Sequence, residues 1–169
     1  MSFLAIQKDT QRIGELVVVG SSFSLEKRFI THLCQDVVIT NKNMAFGRSI
    51  LTDDLQLFFY GLGETEQNKQ FAWELVAPKM LGYILICNWF DGQEFAQIQK
   101  MADELEQSLD AHGIIVGDMG SAPSLPPSVI EEGFSLSKTQ TFALWNSSSK
   151  WDARNIVRIL IDSIIHHME

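Results

Sequence analysis

The sequence has few cysteines and few positive charges. Its two cysteines, Cys34 and Cys87, lack the CxxC spacing typical of metal ligands, which favours free thiols in a reducing compartment over a disulfide or a zinc site. The chain has 13 Lys and Arg against 21 Asp and Glu, a net charge of −8 at pH 7. Nucleic acids and anionic membrane surfaces attract basic patches, so we expect neither as a partner.

Long apolar runs and metal-binding patterns are also missing. No stretch approaches the roughly 18 apolar residues of a membrane span, and the start, MSFLAIQKDTQR, has no basic segment followed by a long apolar run. The histidines follow neither an HxxxH nor an HExxH pattern. We therefore expect a cytoplasmic protein without a membrane span, a metal or a cofactor.

Short apolar segments rich in β-forming residues alternate with segments of helical periodicity. The predicted strands are 15–20, 45–51, 56–61, 82–89, 113–119 and 141–146, and the predicted helices are 25–35, 66–78, 91–109 and 151–168. Asp91 followed by Glu94 predicts a capping box at the third helix. Strands that are apolar throughout indicate a sheet covered on both faces. The 169 residues, 46% of them apolar, are therefore expected to form one three-layer α/β domain, residues 1–169.

The segment VVVGSSFSLEK, residues 17–27, has the outline of a phosphate-binding loop without its chemical groups. The P-loop pattern GxxxxGK[ST] supplies a glycine, a lysine that neutralises phosphate and a hydroxyl that holds magnesium. Counting from Gly20 places Leu25, Glu26 and Lys27 at these three positions. We therefore predict a vestigial loop that binds no nucleotide, comprising Gly20, Ser21, Ser22, Phe23, Ser24, Leu25, Glu26 and Lys27.

Two interpretations of Glu26 remain open. In the first, Ser22 or Ser24 caps the helix, and Glu26 only complements the positive end of the helix dipole. In the second, Glu26 occupies the place of the phosphate and holds an empty loop in one conformation. Both interpretations predict that the loop holds no nucleotide.

The order of features along the chain resembles the small Ras-like GTPases. A strand ending in Gly20 and a helix are followed by AFGRSILTDDLQLFFYGLGE and FAWELVAPKMLGYILICNW. The block from Phe46 to Trp89 is similar to the bacterial and archaeal branch of gliding-motility GTPases and of GTPases encoded beside roadblock-type proteins. The resemblance implies a three-layer P-loop (Ras-like) domain. Its six-stranded, mostly parallel sheet would have the order 2-3-1-4-5-6, with the second strand antiparallel to the third.

The resemblance also implies nucleotide motifs that this sequence does not keep. In ITNKNMAFGR, residues 41–44 lie near the magnesium-binding threonine of switch I, and Thr40 is out of register. In YGLGETEQ, one extra residue places Glu64 and Thr65 near the phosphate-sensing glycine and the following glutamine. The guanine-reading motif falls on VGDMG, where Asp118 is out of place for the base, and NSSSK (146–150) stands for the late SAK-like loop. Because phosphoryl transfer depends on positioned charge, we expect no catalysis.

We therefore expect a non-catalytic Ras-like pseudo-GTPase that acts as a protein–protein interaction or regulatory scaffold module. The resemblance implies a protein partner, such as a roadblock-type dimer, bound through Asn41, Met44, Phe46, Glu64, Glu66, Lys69 and Phe71. Two alternatives stay open. One is a divergent GTP- or ATP-binding switch protein with a non-standard phosphate loop. The other is an unrelated small α/β enzyme that uses Asp91, Asp118 or Asn146 at the strand ends.

Overall fold

The computed structural model describes residues 5–6, 12–40, 44–63, 74, 79–108, 111–121 and 136–168. The strands are β1 (Ala5–Ile6), β2 (Arg12–Gly20), β3 (Asp36–Ile39), β4 (Ala45–Thr52), β5 (Leu55–Gly61), β6 (Gly82–Asn88), β7 (His112–Asp118) and β8 (Gln140–Trp145). The described helices are α1 (Phe23–Leu33), α2 (Gly92–Ser108) and α3 (Lys150–Met168).

The strands form one eight-stranded mixed sheet. Seven of them lie in the order β3-β4-β5-β2-β6-β7-β8, and β1 pairs with the beginning of β2. The pairs β5–β2, β2–β6, β6–β7 and β7–β8 are parallel. The pairs β3–β4, β4–β5 and β1–β2 are antiparallel. The predicted α/β class is thus confirmed.

The expected number of six strands is wrong because it omits β1 and β3. These strands span 2 and 4 residues, which is too short for a periodic pattern to show. The six predicted strands and three of the predicted helices are confirmed, to within three residues at each end. The predicted helix over residues 66–78 lies outside the described residues, apart from Glu74.

Helices cover both faces of the sheet. Helices α1 and α3 pack on one face and α2 packs on the other, which gives the three expected layers. Successive side chains of a strand point to opposite faces. In β2, Leu16 and Val18 are therefore buried against α1 and α3, whereas Val17 and Val19 are buried on the side of α2. No helix among the described residues is long and apolar enough to cross a membrane.

Both cysteines are free thiols, as predicted. Burial raises the pKa of the Cys34 thiol to about 12, and the neighbouring Asp36 carboxylate adds to this rise. Burial also raises the pKa of the Cys87 thiol to about 12, and Glu94 adds to this rise. Since the thiolate is the reactive form of cysteine, these raised pKa values disfavour both thiols as nucleophiles at neutral pH.

Candidate functional site

The segment between β2 and α1 is a two-residue connection rather than an open loop. β2 ends at Gly20 and α1 begins at Phe23, so only Ser21 and Ser22 lie between them. In the P-loop pattern, four residues separate the first glycine from the second. Here the last two of those four positions, Phe23 and Ser24, are already helical. The helix begins this early because an apolar stripe starting at Leu25 packs into the core.

Three backbone N–H groups at or beside this connection are bonded within the chain. Ser21 N–H donates to the carbonyl oxygen of Ile86 at 2.9 Å, and Leu25 N–H donates to that of Ser22 at 3.2 Å. Gly20 N–H donates to Oε2 of Glu26 at 2.9 Å. A P-loop directs N–H groups of this kind at phosphate, whereas here they have partners in the protein itself.

Glu26 lies in the first turn of α1, and its side chain is fully buried. Besides accepting the Gly20 N–H through Oε2, it accepts the Gly63 N–H through Oε1 at 2.9 Å. Gly63 follows β5 and has a φ of 81°, a left-handed conformation that favours glycine. The carboxyl group of Glu26 therefore links the end of β2 to the segment after β5.

Gly20 and one further glycine, Gly61, leave the space that the Glu26 side chain fills. A Cβ at Gly61 would lie 3.2 Å from Oε1 of Glu26 and 3.1 Å from Ile30. A Cβ at Gly20 would lie 3.2 Å from Cγ of Glu26 and 2.7 Å from the carbonyl oxygen of Ser22. The clustering of this acid with these glycines is not among the predictions from the sequence. The available signal was an acid in the first helical turn together with the GLG of residues 61–63.

These contacts bear on the two interpretations of Glu26. Ser22 is the N-cap residue of α1, but its side chain makes no capping hydrogen bond. The proposed capping role of Ser22 is therefore wrong. Ser24 is exposed and lies inside the helix. The carboxyl group of Glu26 is buried and accepts two backbone hydrogen bonds. This agrees with the second interpretation, in which the side chain occupies the place of a phosphate.

A second acidic side chain reaches the same connection from α2. The predicted N-cap is confirmed, since Oδ1 of Asp91 accepts the N–H groups of Gln93 at 3.0 Å and Glu94 at 3.3 Å. The second half of the predicted capping box is wrong. Oε1 of Glu94 instead accepts the Ser21 hydroxyl and, at 3.4 Å, the Asn88 N–H. Two carboxyl groups therefore lie at the ends of β2 and β6.

The three residues considered for an enzymatic site each close a local turn. Asp91 caps the start of α2, as described above. Asp118 is buried at the end of β7, where its Oδ1 accepts the Gly120 N–H at 2.8 Å. Its Oδ2 lies 3.8 Å from the guanidinium group of Arg28. Oδ1 of Asn146 accepts the Ser148 N–H at 3.0 Å. These bonds account for the three side chains as structural elements of their turns.

Two residues of the predicted partner surface are described. Met44 and Phe46 are half-buried; Met44 packs against the core on the side of α2, and the Phe46 ring lies 5.8 Å from the Tyr60 ring. Val38, which pairs with Phe46 across the β3–β4 hairpin, is 62% exposed. The Thr40 hydroxyl accepts the Met44 N–H at 3.1 Å within the turn of this hairpin. The other predicted residues, Asn41, Glu64, Glu66, Lys69 and Phe71, lie outside the described residues.

In the part of the chain that the structure describes, no three His, Cys, Asp or Glu side chains are placed to bind the same metal ion. No protein-family model matches the chain, and no curated protein matches it. The strand order and the contacts of Glu26 are therefore the features of the chain that bear on its function.

Proposed function

We propose that the chain is a Ras-like pseudo-GTPase, a non-catalytic interaction module in which an acidic side chain replaces bound phosphate. The strand order supports the fold assignment. When β1 and β3 are set aside, the six remaining strands lie in the order β4-β5-β2-β6-β7-β8. Numbered along the chain, this order is 2-3-1-4-5-6, and the second strand is antiparallel to the third. Both features are those that the resemblance implies.

The single observation that carries the functional proposal is the bridge from Gly20 through Glu26 to Gly63. In the proposed correspondence, Gly20 starts the phosphate loop, and Gly63 takes the place of the phosphate-sensing glycine, one residue before Glu64. In GTPases, contacts with the γ-phosphate order the switch segments, and hydrolysis releases them. Glu26 supplies comparable oxygen acceptors permanently, because it is part of the chain. The module is thus held in one state rather than switched.

Nucleotide binding would require a costly rearrangement. Glu26 would have to leave its buried position and give up both N–H bonds, each worth roughly 0.5–3 kcal/mol. If Glu26 stayed, a phosphate about 4 Å away would be repelled by on the order of 4 kcal/mol at an effective dielectric near 20. A micromolar ligand binds with only about 8 kcal/mol in total. The alternative of a divergent GTP- or ATP-binding switch is therefore disfavoured.

The function that remains is recognition of a protein partner, and the resemblance suggests a roadblock-type dimer. The described part of the proposed surface supports such a role, because Val38 is exposed beside the Phe46 and Tyr60 rings. Aromatic side chains in an accessible apolar surface are typical anchors of protein interfaces. Since Glu26 takes no part in a nucleotide cycle, the affinity for the partner should be the same with and without GTP.

The absence of nucleotide binding is tested by thermal unfolding with millimolar GTP, GDP or ATP and magnesium. A ligand at 100 times its Kd stabilises a protein by about 2.7 kcal/mol, which raises the Tm of a chain of this size by roughly 5–10 °C. We expect no shift, while an active small GTPase in the same buffers shows one. A concentration-dependent shift would reject the proposal in favour of the nucleotide-binding alternative.

The partner is tested by calorimetric titration with the roadblock-type proteins encoded in the same genome. Val38→Asp places a charge in the proposed interface and should weaken binding at least tenfold, whereas Lys100→Ala on the exposed side of α2 should leave it unchanged. Added GTP should have no effect. If Val38→Asp binds as tightly as the unmodified chain, the interface lies elsewhere. If none of these proteins binds, the roadblock assignment is wrong.

A further inference from the structure

An apolar groove lies between α3, the end of α1 and the end of β4. It has a volume of about 280 Å³, and its apolar lining consists of Leu33, Ile50, Leu51, Val157 and Ile161. Ile50 pairs with Gln56 near the beginning of β5, whereas the Gly63 contact with Glu26 follows the end of β5. The groove is therefore at the other end of the sheet from the Glu26 bridge and separate from the interface proposed above.

Three residues that line the groove, Arg154, Arg158 and Ile161, belong to one stripe along α3. Trp151, Arg154, Arg158, Ile161 and Ile165 follow one another at intervals of three and four residues, which places them along one side of the helix. Trp151 is 75% exposed, and the Arg154 guanidinium group lies 5.5 Å from the centre of its ring. This stripe combines an aromatic side chain, aliphatic side chains and positive charge.

Both arginines at the groove are available to an anionic ligand. Arg154 and Arg158 are exposed, and neither forms an ion pair with a carboxylate of the described residues. Asp162 lies one turn beyond Arg158 and is not paired with it either. The chain as a whole has a net charge of −8. The two guanidinium groups, which have no carboxylate partner among the described residues, therefore form a local positive patch beside the apolar groove. Guanidinium groups bind carboxylates through two parallel N–H bonds.

We propose that this groove binds an acidic peptide segment of a partner protein. One or two apolar side chains of the segment fill the groove, and Asp or Glu residues beside them pair with Arg154 and Arg158. The volume is at the lower end of the roughly 300–1,000 Å³ of small-molecule pockets, which suits side chains better than a whole organic cofactor. Trp151 lies beside the groove as an exposed aromatic contact of the kind that dominates interface energies.

An anionic membrane fits the same surface less well. Recognition of anionic lipids typically uses clusters of about four to eight Lys and Arg residues, whereas this surface offers two, on a protein that is negative as a whole. The apolar part is also concave, so a protruding side chain enters it more readily than a flat bilayer does. The observations therefore favour a peptide, and vesicle binding becomes an outcome of the test.

The test is selection from a displayed library of random 12-residue peptides against the full chain, followed by titration of synthetic copies of the enriched peptides. We expect peptides that combine Leu, Ile or Phe with neighbouring Asp or Glu. Arg158→Glu should weaken their binding at least tenfold, and Ile50→Ser, which removes an apolar wall that is 45% exposed, should do the same. Lys100→Glu is the matched control, since it makes the same charge reversal on α2 and should change affinity less than twofold. Circular dichroism checks that each variant is folded.

Three outcomes would overturn the proposal. The first is a selection that enriches no acidic apolar peptide. The second is a set of enriched peptides that bind Arg158→Glu and Ile50→Ser as tightly as the unmodified chain. The third is binding of the chain to phosphatidylserine vesicles that is lost in Arg158→Glu, which would assign the surface to a membrane instead.

Discussion

Replacing Glu26 tests whether the bridge between Gly20 and Gly63 stabilises the fold in the absence of any ligand. Glu26→Ala removes both acceptors and leaves two backbone N–H groups without their partners in a buried site. An unsatisfied buried donor costs about 1–3 kcal/mol, so the two together cost roughly 2–6 kcal/mol. Removal of a buried acidic group offsets part of this loss. We expect the free energy of unfolding to fall by about 2–4 kcal/mol.

Glu26→Gln removes one hydrogen-bond acceptor while it keeps nearly the same size of side chain. The amide has nearly the same shape, but only its oxygen accepts a hydrogen bond, while its NH₂ group meets the second N–H as another donor. We therefore expect an intermediate loss of about 1–3 kcal/mol. The matched control is Glu106→Gln on the exposed side of α2, which makes the same chemical change at an exposed position. Surface substitutions of this kind usually change stability by less than about 0.5 kcal/mol.

The assays are urea unfolding followed by circular dichroism and amide hydrogen exchange followed by NMR. Exchange of the Gly20 and Gly63 amides should accelerate in Glu26→Ala more than exchange of amides in the centre of β2, because both amides lose their acceptor. In Glu26→Gln only one of the two amides should accelerate, because the glutamine oxygen still accepts the other. A Glu26→Ala variant that unfolds within about 0.5 kcal/mol of the unmodified chain, or one in which both amides exchange at their unmodified rates, would refute the stabilising role of the bridge.

Two further predictions concern the connection and the neighbouring histidine. Introducing the P-loop side chains with Leu25→Gly, Glu26→Lys and Lys27→Ser should lower the free energy of unfolding by at least about 5 kcal/mol, because Leu25 belongs to the core, glycine is unfavourable within a helix and the Glu26 bridge is lost. This triple variant should release no phosphate from GTP above background, and turnover typical of small GTPases would contradict that expectation. Burial lowers the pKa of His32, and the charges of Arg28 and Lys150 lower it further against the opposing effect of Asp118. The unfolded chain therefore takes up the proton more readily, so the contribution of His32 to stability is present above pH about 6.5 and is lost as the pH falls below that value. Unfolding measured between pH 7 and 5 should show a smaller loss of stability in His32→Gln than in the unmodified chain, and equal losses would show that His32 is not responsible.

The sequence by itself determined the class of the fold and the absence of a P-loop pattern at residues 20–27. Strands of unbroken apolar character, such as residues 82–88, and the apolar stripe of α3 are local patterns, and local patterns are visible without a structure. The identities of Leu25, Glu26 and Lys27 likewise depart from the P-loop pattern at its glycine, lysine and hydroxyl positions. The short strand β3 was not predicted because a segment of four residues is too short to show a periodic pattern.

Only the tertiary structure decided what Glu26 contacts. Its partner Gly63 lies 37 residues further along the chain and comes within 2.9 Å of it because β5 pairs with β2. Glu94 was assigned by its spacing from Asp91 to a local capping bond, yet its carboxyl group contacts Ser21, which is 73 residues away. A side chain at the start of a helix can bond its own backbone or a neighbouring element, and spacing in the sequence is the same in both cases. The choice depends on which donors the folded sheet brings within reach.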